Sequence, residues 1–343
     1  MTHHRRNAAA SATLLLALLM TGCGGGGGGG SSPGTATPAI GTTPPIVVSP
    51  PDPPPPPASA PSSTVACAPG DAPSMRSTSF TLVNVIRTAV GLPNFVRLPA
   101  LDGTAQDHAQ YVAANGGSGS DESPGLACFT GADLAQRLSA AGVVVVDTPG
   151  ARARSESVLA YLAPPGSEPD AWGIVNDMLN NLYGRVILLD PHAQQMGIGF
   201  SVAQAGQQHA MVLDTAITAG TAGAGDEAWV VWPRDGATGL PGQMRASNLK
   251  PLGDAFTEGY PVSLHASAAV QVSRFVITNA AGGAPVAATL LTAANDRNAV
   301  LGAGEAALVP QAPLAAGTTY HVELDGMAGM QPLHLAWSFT TAS

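Results

Sequence analysis

Residues 180–200, NNLYGRVILLDPHAQQMGIGF, constrain this chain more than any other stretch. Trp172, Val175, Leu179 and Leu182 fall three or four residues apart and lead into it, so the spacing predicts an amphipathic helix. Asp190-Pro191 ends that helix, because proline disfavours helical geometry in the residue before it. A strand then opens with Met196-Gly197-Ile198-Gly199-Phe200 and runs to Val202. The rest of the chain is read around this helix, turn and strand.

At the N-terminus, His3-His4-Arg5-Arg6 precedes an apolar run from Ala8 to Met20 that ends in Thr21-Gly22-Cys23. A basic start, a short apolar stretch and small residues before a cut describe a secretory signal over residues 1–22, too short to span a membrane. The Thr-Gly-Cys ending resembles a bacterial lipobox, in which Cys23 becomes the lipidated first residue. A plain secretory signal with Cys23 inside it is the alternative. Two acyl chains would give stable anchoring, each buried CH₂ contributing about 0.8 kcal/mol. Residues 23–65 follow, with seven consecutive glycines and a proline run through Pro57. Such a composition cannot bury enough apolar surface to offset chain ordering, so a disordered tether is expected.

With Cys23 assigned to lipid, Cys67 and Cys128 are left. In an oxidising compartment they most simply pair, and two buried free thiols are the alternative. The net charge is −9 and no basic cluster lies outside the leader, which argues against nucleic acid as a partner.

A first domain is expected over residues 66–219. Ser77 or Thr78 can cap a helix carrying Leu82, Val85, Ile86 and Val90, stopped by Gly91. A second helix places Leu101, Ala105, His108 and Val112 on one stripe and ends at Asn115-Gly116. Thr130 and Asp133 can cap a third, with Leu134, Leu138 and Ala141 as its stripe. Val143 to Val146, a continuous β-branched run, reads as a buried strand. Two strands, Met196–Val202 and His209–Ile217, close the domain.

Several of these segments together resemble the CAP superfamily, the cysteine-rich secretory and pathogenesis-related proteins with their bacterial SCP-like relatives. The matching residues are Asn84-Val85-Ile86-Arg87, Leu101 to Asn115, Phe129-Thr130-Gly131 through Val143, Glu156 within Ser155–Tyr161, and the 180–200 stretch itself. The fold this implies is α+β: an αβα-sandwich CAP domain. The resemblance also implies a cleft with two His and two Glu, often around a divalent metal. Here the two His positions carry Ser120 and Gly184, while Glu122 and Glu156 keep the acids. His108 is expected to be structural, Glu122 a solvated loop acid, and Glu156 an acid bonding backbone amides. His192 and His209 are not expected as ligands. The cleft as it stands calls for no metal and no other cofactor.

A second domain is expected over residues 226–343. Seven short apolar runs, from Ala228–Trp232 to Leu333–Thr340, alternate with Gly, Pro, Asn and Asp breaks and predict an all-β sandwich. Pro313-Leu314-Ala315-Ala316-Gly317-Thr318-Thr319-Tyr320 and Trp337-Ser338-Phe339-Thr340-Thr341 resemble bacterial Ig-like modules. Asn295-Asp296-Arg297-Asn298 is read as a plain turn rather than a Ca²⁺ loop.

The expectation is an exported, lipid-anchored protein of the bacterial cell envelope, at the outer membrane in a Gram-negative cell. Its CAP domain is read as a non-catalytic binding or structural module, with the membrane as one partner. An envelope protein, a glycan or a lipid are the ligand classes left open. The competing reading is a metal-dependent or acid/base hydrolase using Glu122 and Glu156.

Overall fold

The computed structural model describes residue 67 and residues 70–148, 150–162, 170–202, 208–219, 228–245 and 249–343. The expected leader, Cys23 and the tether lie outside the described residues. The elements of the first half are β1 (Gly70–Asp71), α1 (Pro73–Ala89), β2 (Val96–Arg97), α2 (Pro99–Asn115), α3 (Leu134–Ala140), β3 (Arg154–Tyr161), α4 (Ala171–Asn180), α5 (Leu182–Leu188), β4 (Gln195–Val202) and β5 (His209–Ala216). Strands run in the order β1-β4-β5-β3, and β2 adds to β4 in parallel. Every residue of β5 is buried, so both faces of the sheet are covered. Met211 and Leu213 pack with Ile174, Val175 and Met178 of α4, and Ala210 and Val212 pack with Ala105, Ala109 and Val112 of α2. This is the αβα arrangement expected from the sequence.

Helix α2 seals one edge of β4. The backbone N–H of Ile198 donates to Asp102 Oδ1 at 3.0 Å, and that of Phe200 donates to Gln106 Oε1 at 2.9 Å. Residues four apart on the helix thus serve residues two apart on the strand. Only glycine permits the approach. A Cβ on Gly197 would lie 2.1 Å from the Leu101 carbonyl carbon, and one on Gly199 would lie 2.1 Å from the Ala105 oxygen.

The Asn84 to Arg87 motif also acts on backbone. Asn84 exchanges two hydrogen bonds with the main chain of Phe95, at 3.1 and 2.7 Å. Arg87 is buried and donates to the carbonyls of Pro93, Leu188, Asp190 and Ala193, with its guanidinium 3.9 Å over the Phe95 ring. It collects the carbonyls left open where α5 ends and the chain turns into β4. The Cys67–Cys128 disulfide ties the start of the domain to the loop before α3, a loop closure worth roughly 4 kcal/mol in the chain-entropy model.

Several local expectations differ from the structure. Helix α1 starts at Pro73 and no side chain caps it, because proline already suits the first helical turn. The expected long helix is two helices, broken at Asn181, whose side chain caps α5 by accepting from Tyr183 and Gly184. Asp133, not Thr130, caps α3, since the Thr130 hydroxyl is engaged by Glu122. Val143 to Val146 makes only an isolated bridge, Val145 to Thr218, with Val144 75% exposed. Its apolar residues alternate inward and outward at the sheet margin, and a continuous β-branched run cannot distinguish that from burial on both sides.

The second half contains β6 (Trp229–Trp232), β7 (Ala237–Leu240), β8 (Val262–Ala266), β9 (Val270–Asn279), β10 (Ala288–Thr292), β11 (Glu305–Pro310), β12 (Thr319–Ala328) and β13 (Gln331–Thr341). They form two four-stranded sheets, β10-β11-β8-β6 and β7-β13-β12-β9. Tyr260, Leu264, Ile277, Val322, Leu324, Trp337 and Phe339 fill the core, and β7 escaped the sequence reading because ATGL carries little strand signal. Asp296 accepts from Tyr183 Oη at 2.6 Å and from the backbone of Asn298, Val300 and Leu301, so Asn295 to Asn298 is a turn.

The two halves share buried surface. Leu182, Tyr183 and Val186 of α5 pack against Met244, Leu291, Leu301, Ala307 and Val309. Arg185, fully buried, donates to the Leu179 and Pro261 carbonyls and to Ser263 Oγ, and lies 5.0 Å from the Tyr260 ring. Ser263 Oγ also bonds His265, whose pKa is pushed down to about 3, first by burial and then by Arg185 and Arg152.

Two outcomes follow from this packing. Gly199→Ala should cost about 3 kcal/mol by overpacking, read as a shift in the urea midpoint, and a loss below about 1 kcal/mol would show that α2 can retreat. His265 is neutral in the fold, and the unfolded chain takes up a proton below about pH 6.5. Its contribution is therefore present above that value and lost as pH falls toward 3. A His265→Gln variant should lose less stability than the parent between about pH 6.5 and 4; identical pH profiles would contradict the assignment.

Candidate functional site

The acids singled out in the sequence come together between α2, the loop before α3, and β3. Glu122 is held by the turn that follows the disulfide. Its carboxylate accepts from the backbone of Thr130 at 2.6 Å and of Gly131 at 3.3 Å, and from the Thr130 hydroxyl. Glu156 lies on β3, where Arg137 Nη2 donates to both its oxygens at 2.7 and 2.9 Å and Ser120 Oγ donates to Oε2. Arg137 continues through Nη1 to the Ser120 and Gly131 carbonyls. One guanidinium therefore ties the loop, the turn and the strand together.

His108 sits among these groups. Nε2 lies 3.0 Å from the Gly119 carbonyl, which can only accept, so this nitrogen carries a proton. Nδ1 lies 2.9 Å from Glu122 Oε1, within hydrogen-bonding distance. Glu156 Oε2 is 3.7 Å from Nε2, and Tyr111 stacks on the ring at 5.9 Å. Both ring nitrogens are occupied, each by a different partner.

Asp214 completes the cluster and has no counterpart in the sequence reading. It stands directly across from Glu156 on the neighbouring strand, fully buried, and accepts from Thr104 Oγ1 at 2.8 Å. Burial first, and then the charge of Glu156, raise its pKa well above the ordinary carboxylate value. Asp214 thus favours its protonated, neutral form more than an ordinary carboxylate does, leaving Glu122 and Glu156 to face Arg137 and His108.

The side chains of Glu122, His108, Arg137 and Glu156 are 0%, 0%, 1% and 2% exposed. Glu122 is accordingly not a solvated loop acid, because the 130–131 turn folds its amides onto it. Glu156 is not bonded to backbone amides, because Arg137 and Ser120 reach it first. Ser120 and Glu156 are each partly open to solvent as whole residues, although little of the Glu156 side chain is exposed. Gly184 is buried at the start of α5, where a Cβ would lie 2.6 Å from the Met178 carbonyl oxygen. Among the described residues, no group of three or more His, Cys, Asp or Glu is placed to hold a metal ion. His209 starts β5, stacked near Tyr161 and Phe200 and away from the acids. His192 lies beside Asp190, its Nδ1 3.4 Å from Oδ1.

Arg137 and Asp214 carry the electrostatics, yet neither stood out as a site residue in the sequence. Arg137 adjoins the apolar pair Leu134 and Leu138, and a lone cation on the buried side of a short helix is the signal that could have found it. Asp214 has no such signal within a run of buried β residues.

Residues 80–215 match the model of the cysteine-rich secretory protein family, CAP, and these residues make up a CAP domain. No curated protein matches the chain. Among solved structures, the chain is similar to an extracellular protein containing an SCP domain from Bacillus anthracis, at 17% identity and a TM-score of 0.32, over 42% of this chain and 40% of that one. It therefore spans less than half the length of that relative. An outer surface protein of Borrelia burgdorferi aligns at 13% identity and a TM-score of 0.34, over 44% of this chain and 98% of that one. Venom allergen-like protein 4 of Schistosoma mansoni aligns at 11% identity and a TM-score of 0.26, over 42% and 88%.

The cluster makes opposite predictions for its two strand acids. Glu156→Gln strands the buried Arg137 and should cost about 3–5 kcal/mol. Asp214→Asn replaces a group whose neutral form the site favours and should cost under about 1 kcal/mol. A raised acid lowers stability as pH climbs from its unfolded value through its folded one. The Asn variant should therefore lose less stability than the parent as pH climbs above about 4. Urea midpoints across that range test both, and a loss above about 2 kcal/mol in Asp214→Asn would mean that Asp214 is ionised.

Proposed function

We propose that this is an exported, lipid-anchored protein of the bacterial cell envelope whose CAP domain is a non-catalytic binding or structural module. In this reading Cys23 carries the lipid, residues 24–65 are the spacer, and the C-terminal β region is an Ig-like module packed on the CAP domain. The observation that carries it is the neutralisation of the acid cluster. Glu122 and Glu156, the two acids that would do chemistry, are buried and already paired with His108 and Arg137. An acid engaged in this way has no free lone pair directed at a substrate and no open position for a metal. Ser120 and Gly184 offer no imidazole, and Gly184 leaves no room for one. The acidic balance of the chain supports partners other than nucleic acid, with the membrane reached through lipid. Among the described residues, no helix is long and apolar enough to cross a membrane.

Cys23→Ser should move the protein from the membrane to the soluble fraction on cell fractionation; unchanged membrane association would remove the lipid anchor from the reading. The same full-length variant titrated with Zn²⁺ should show no stoichiometric uptake. Uptake of one equivalent, or a hydrolytic activity abolished by Glu122→Gln, would replace the non-catalytic reading with an enzymatic one.

A further inference from the structure

A second cluster of charged groups lies outside the Glu122–Glu156 site, where the CAP domain meets the β-sandwich. A cleft of about 250 Å³ runs along this seam, between residues 150–152 and 190–192 on one side and residues 266 and 302–305 on the other. Arg152 Nη1 donates to Glu305 Oε1 at 2.6 Å, and Nη2 bonds Glu305 Oε2 and the Val300 carbonyl. Asp190 Oδ2 lies 3.8 Å from Arg152 Nη1. The side chains of Asp190 and Glu305 are buried, and that of His192 is 18% exposed. Two acids and two bases therefore meet here, and with His192 protonated their charges sum to zero.

His192 is the member of the four that changes charge near neutral pH. Asp190 Oδ1 accepts its backbone N–H at 2.8 Å, which fixes the turn, and its ring Nδ1 lies 3.4 Å from the same oxygen. The ring also bonds the backbone of Ser267, in the loop between β8 and β9. That bond favours the charged ring, so its acceptor is the Ser267 carbonyl. Ser267 is in turn fixed to the sandwich, its N–H donating to the Ala228 carbonyl at 2.8 Å and its hydroxyl accepting from the Ala228 N–H at 3.1 Å. One imidazole thus spans the seam, from a CAP carboxylate to a sandwich carbonyl. Both partners only accept, so holding both takes a proton on each ring nitrogen. A neutral ring keeps one N–H and turns a lone pair toward the other oxygen.

We propose that His192 is a pH-responsive latch between the two domains: with two ring protons it joins the 190–192 turn to the Ser267 loop, and with one it lets this rim of the seam open. The titratable and charged groups around it are Asp190 on its own turn, Arg152 before β3, Glu305 at the start of β11, and His265 on β8. Burial acts to raise the Asp190 pKa, but the bonds from His192 outweigh it, so this carboxylate is ionised. Burial acts against the Arg152 charge and the bond to Glu305 more than restores it. Burial raises the Glu305 pKa against that same bond. His265, at about 3, is neutral across the neutral range. For His192 the bond to Asp190 raises the pKa, and burial opposes it. The latch is therefore whole below about pH 6.5, the value of a free imidazole, and lost as pH rises through the higher folded value. Its proton loss also leaves Arg152 alone against two acids, an uncompensated negative charge at a largely buried seam. Arg185 and Tyr183 still join α5 to the sandwich, so the opening is confined to this rim.

The test is hydrogen–deuterium exchange of the full-length chain with Cys23→Ser at about pH 6, 7.5 and 9, with each protection factor taken relative to the intrinsic exchange rate at that pH. Peptides covering residues 188–194 and 264–270 should lose about tenfold in protection between the lowest and highest pH, with the midpoint above about 6.5. Peptides of β12 and β13 should keep theirs. His192→Gln carries no titrating proton and should show a single level of protection at all three pH values, with the circular dichroism of the parent. Constant protection of both rim peptides in the parent, a midpoint below about 6.5, or an equal loss throughout β12 and β13 would each overturn the proposal. So would a pH response undiminished in the folded variant. If His192→Gln does not fold, the parent profile alone decides. None of these outcomes depends on the lipid anchor or on zinc, so the latch and the functional reading stand or fall separately.

Discussion

The CAP domain depends on the contact between α2 and β4. A sheet edge left open exposes unpaired N–H groups, and their burial without partners would be costly. Here Asp102 and Gln106 supply the acceptors, and Gly197 and Gly199 let the helix come close enough to use them. Two members of the acid cluster, His108 and Asp214, are placed by this contact. His108 is on α2, two residues beyond Gln106, and Asp214 pairs with Gly197 across the β4–β5 ladder. The helix lies on the strand, and the strand register then brings Asp214 opposite Glu156.

Three buried arginines organise the remaining backbone. Arg87 gathers carbonyls at the turn after α5, Arg137 joins the 120–131 loop to β3, and Arg185 fastens α5 to the β-sandwich. A guanidinium has five donors in a rigid plane, so one side chain can satisfy carbonyls from several segments at once. Arg137 alone of the three is paired with a carboxylate among its hydrogen bonds, and Arg185 is desolvated enough that its pKa falls. In a chain with only 11% charged residues, placing three such cations inside concentrates their effect at the joints between segments. The seam cleft follows the same pattern, with Arg152 bonded across from the CAP domain to Glu305 and Val300 of the sandwich.

Local order was legible where periodicity or a special backbone residue fixes it. The helices α1 and α2, the strands β4 and β5, the Asp190-Pro191 turn and most sandwich strands can be read in the sequence, although Val85 of the expected α1 stripe is 57% exposed. The order of motifs also located the CAP domain. Capping residues were less legible. Thr130 is as good a cap as Asp133 by type, and only the position of Glu122 takes its hydroxyl away. The margin at Val144 failed for a related reason, since composition does not say whether a strand has one neighbour or two.

The sequence by itself determined the α+β class, the motif order, the acids Glu122 and Glu156, and the absence of an imidazole at Ser120 and Gly184. Only the tertiary structure decided what those acids do. Pairing Glu122 with His108 and Glu156 with Arg137, raising the Asp214 pKa, and packing α5 against the sandwich all join residues 14 or more positions apart. Such pairings depend on which faces meet once the helices have covered the sheet. No local period encodes that choice, because the free energy of a buried charge is set by its neighbours in space.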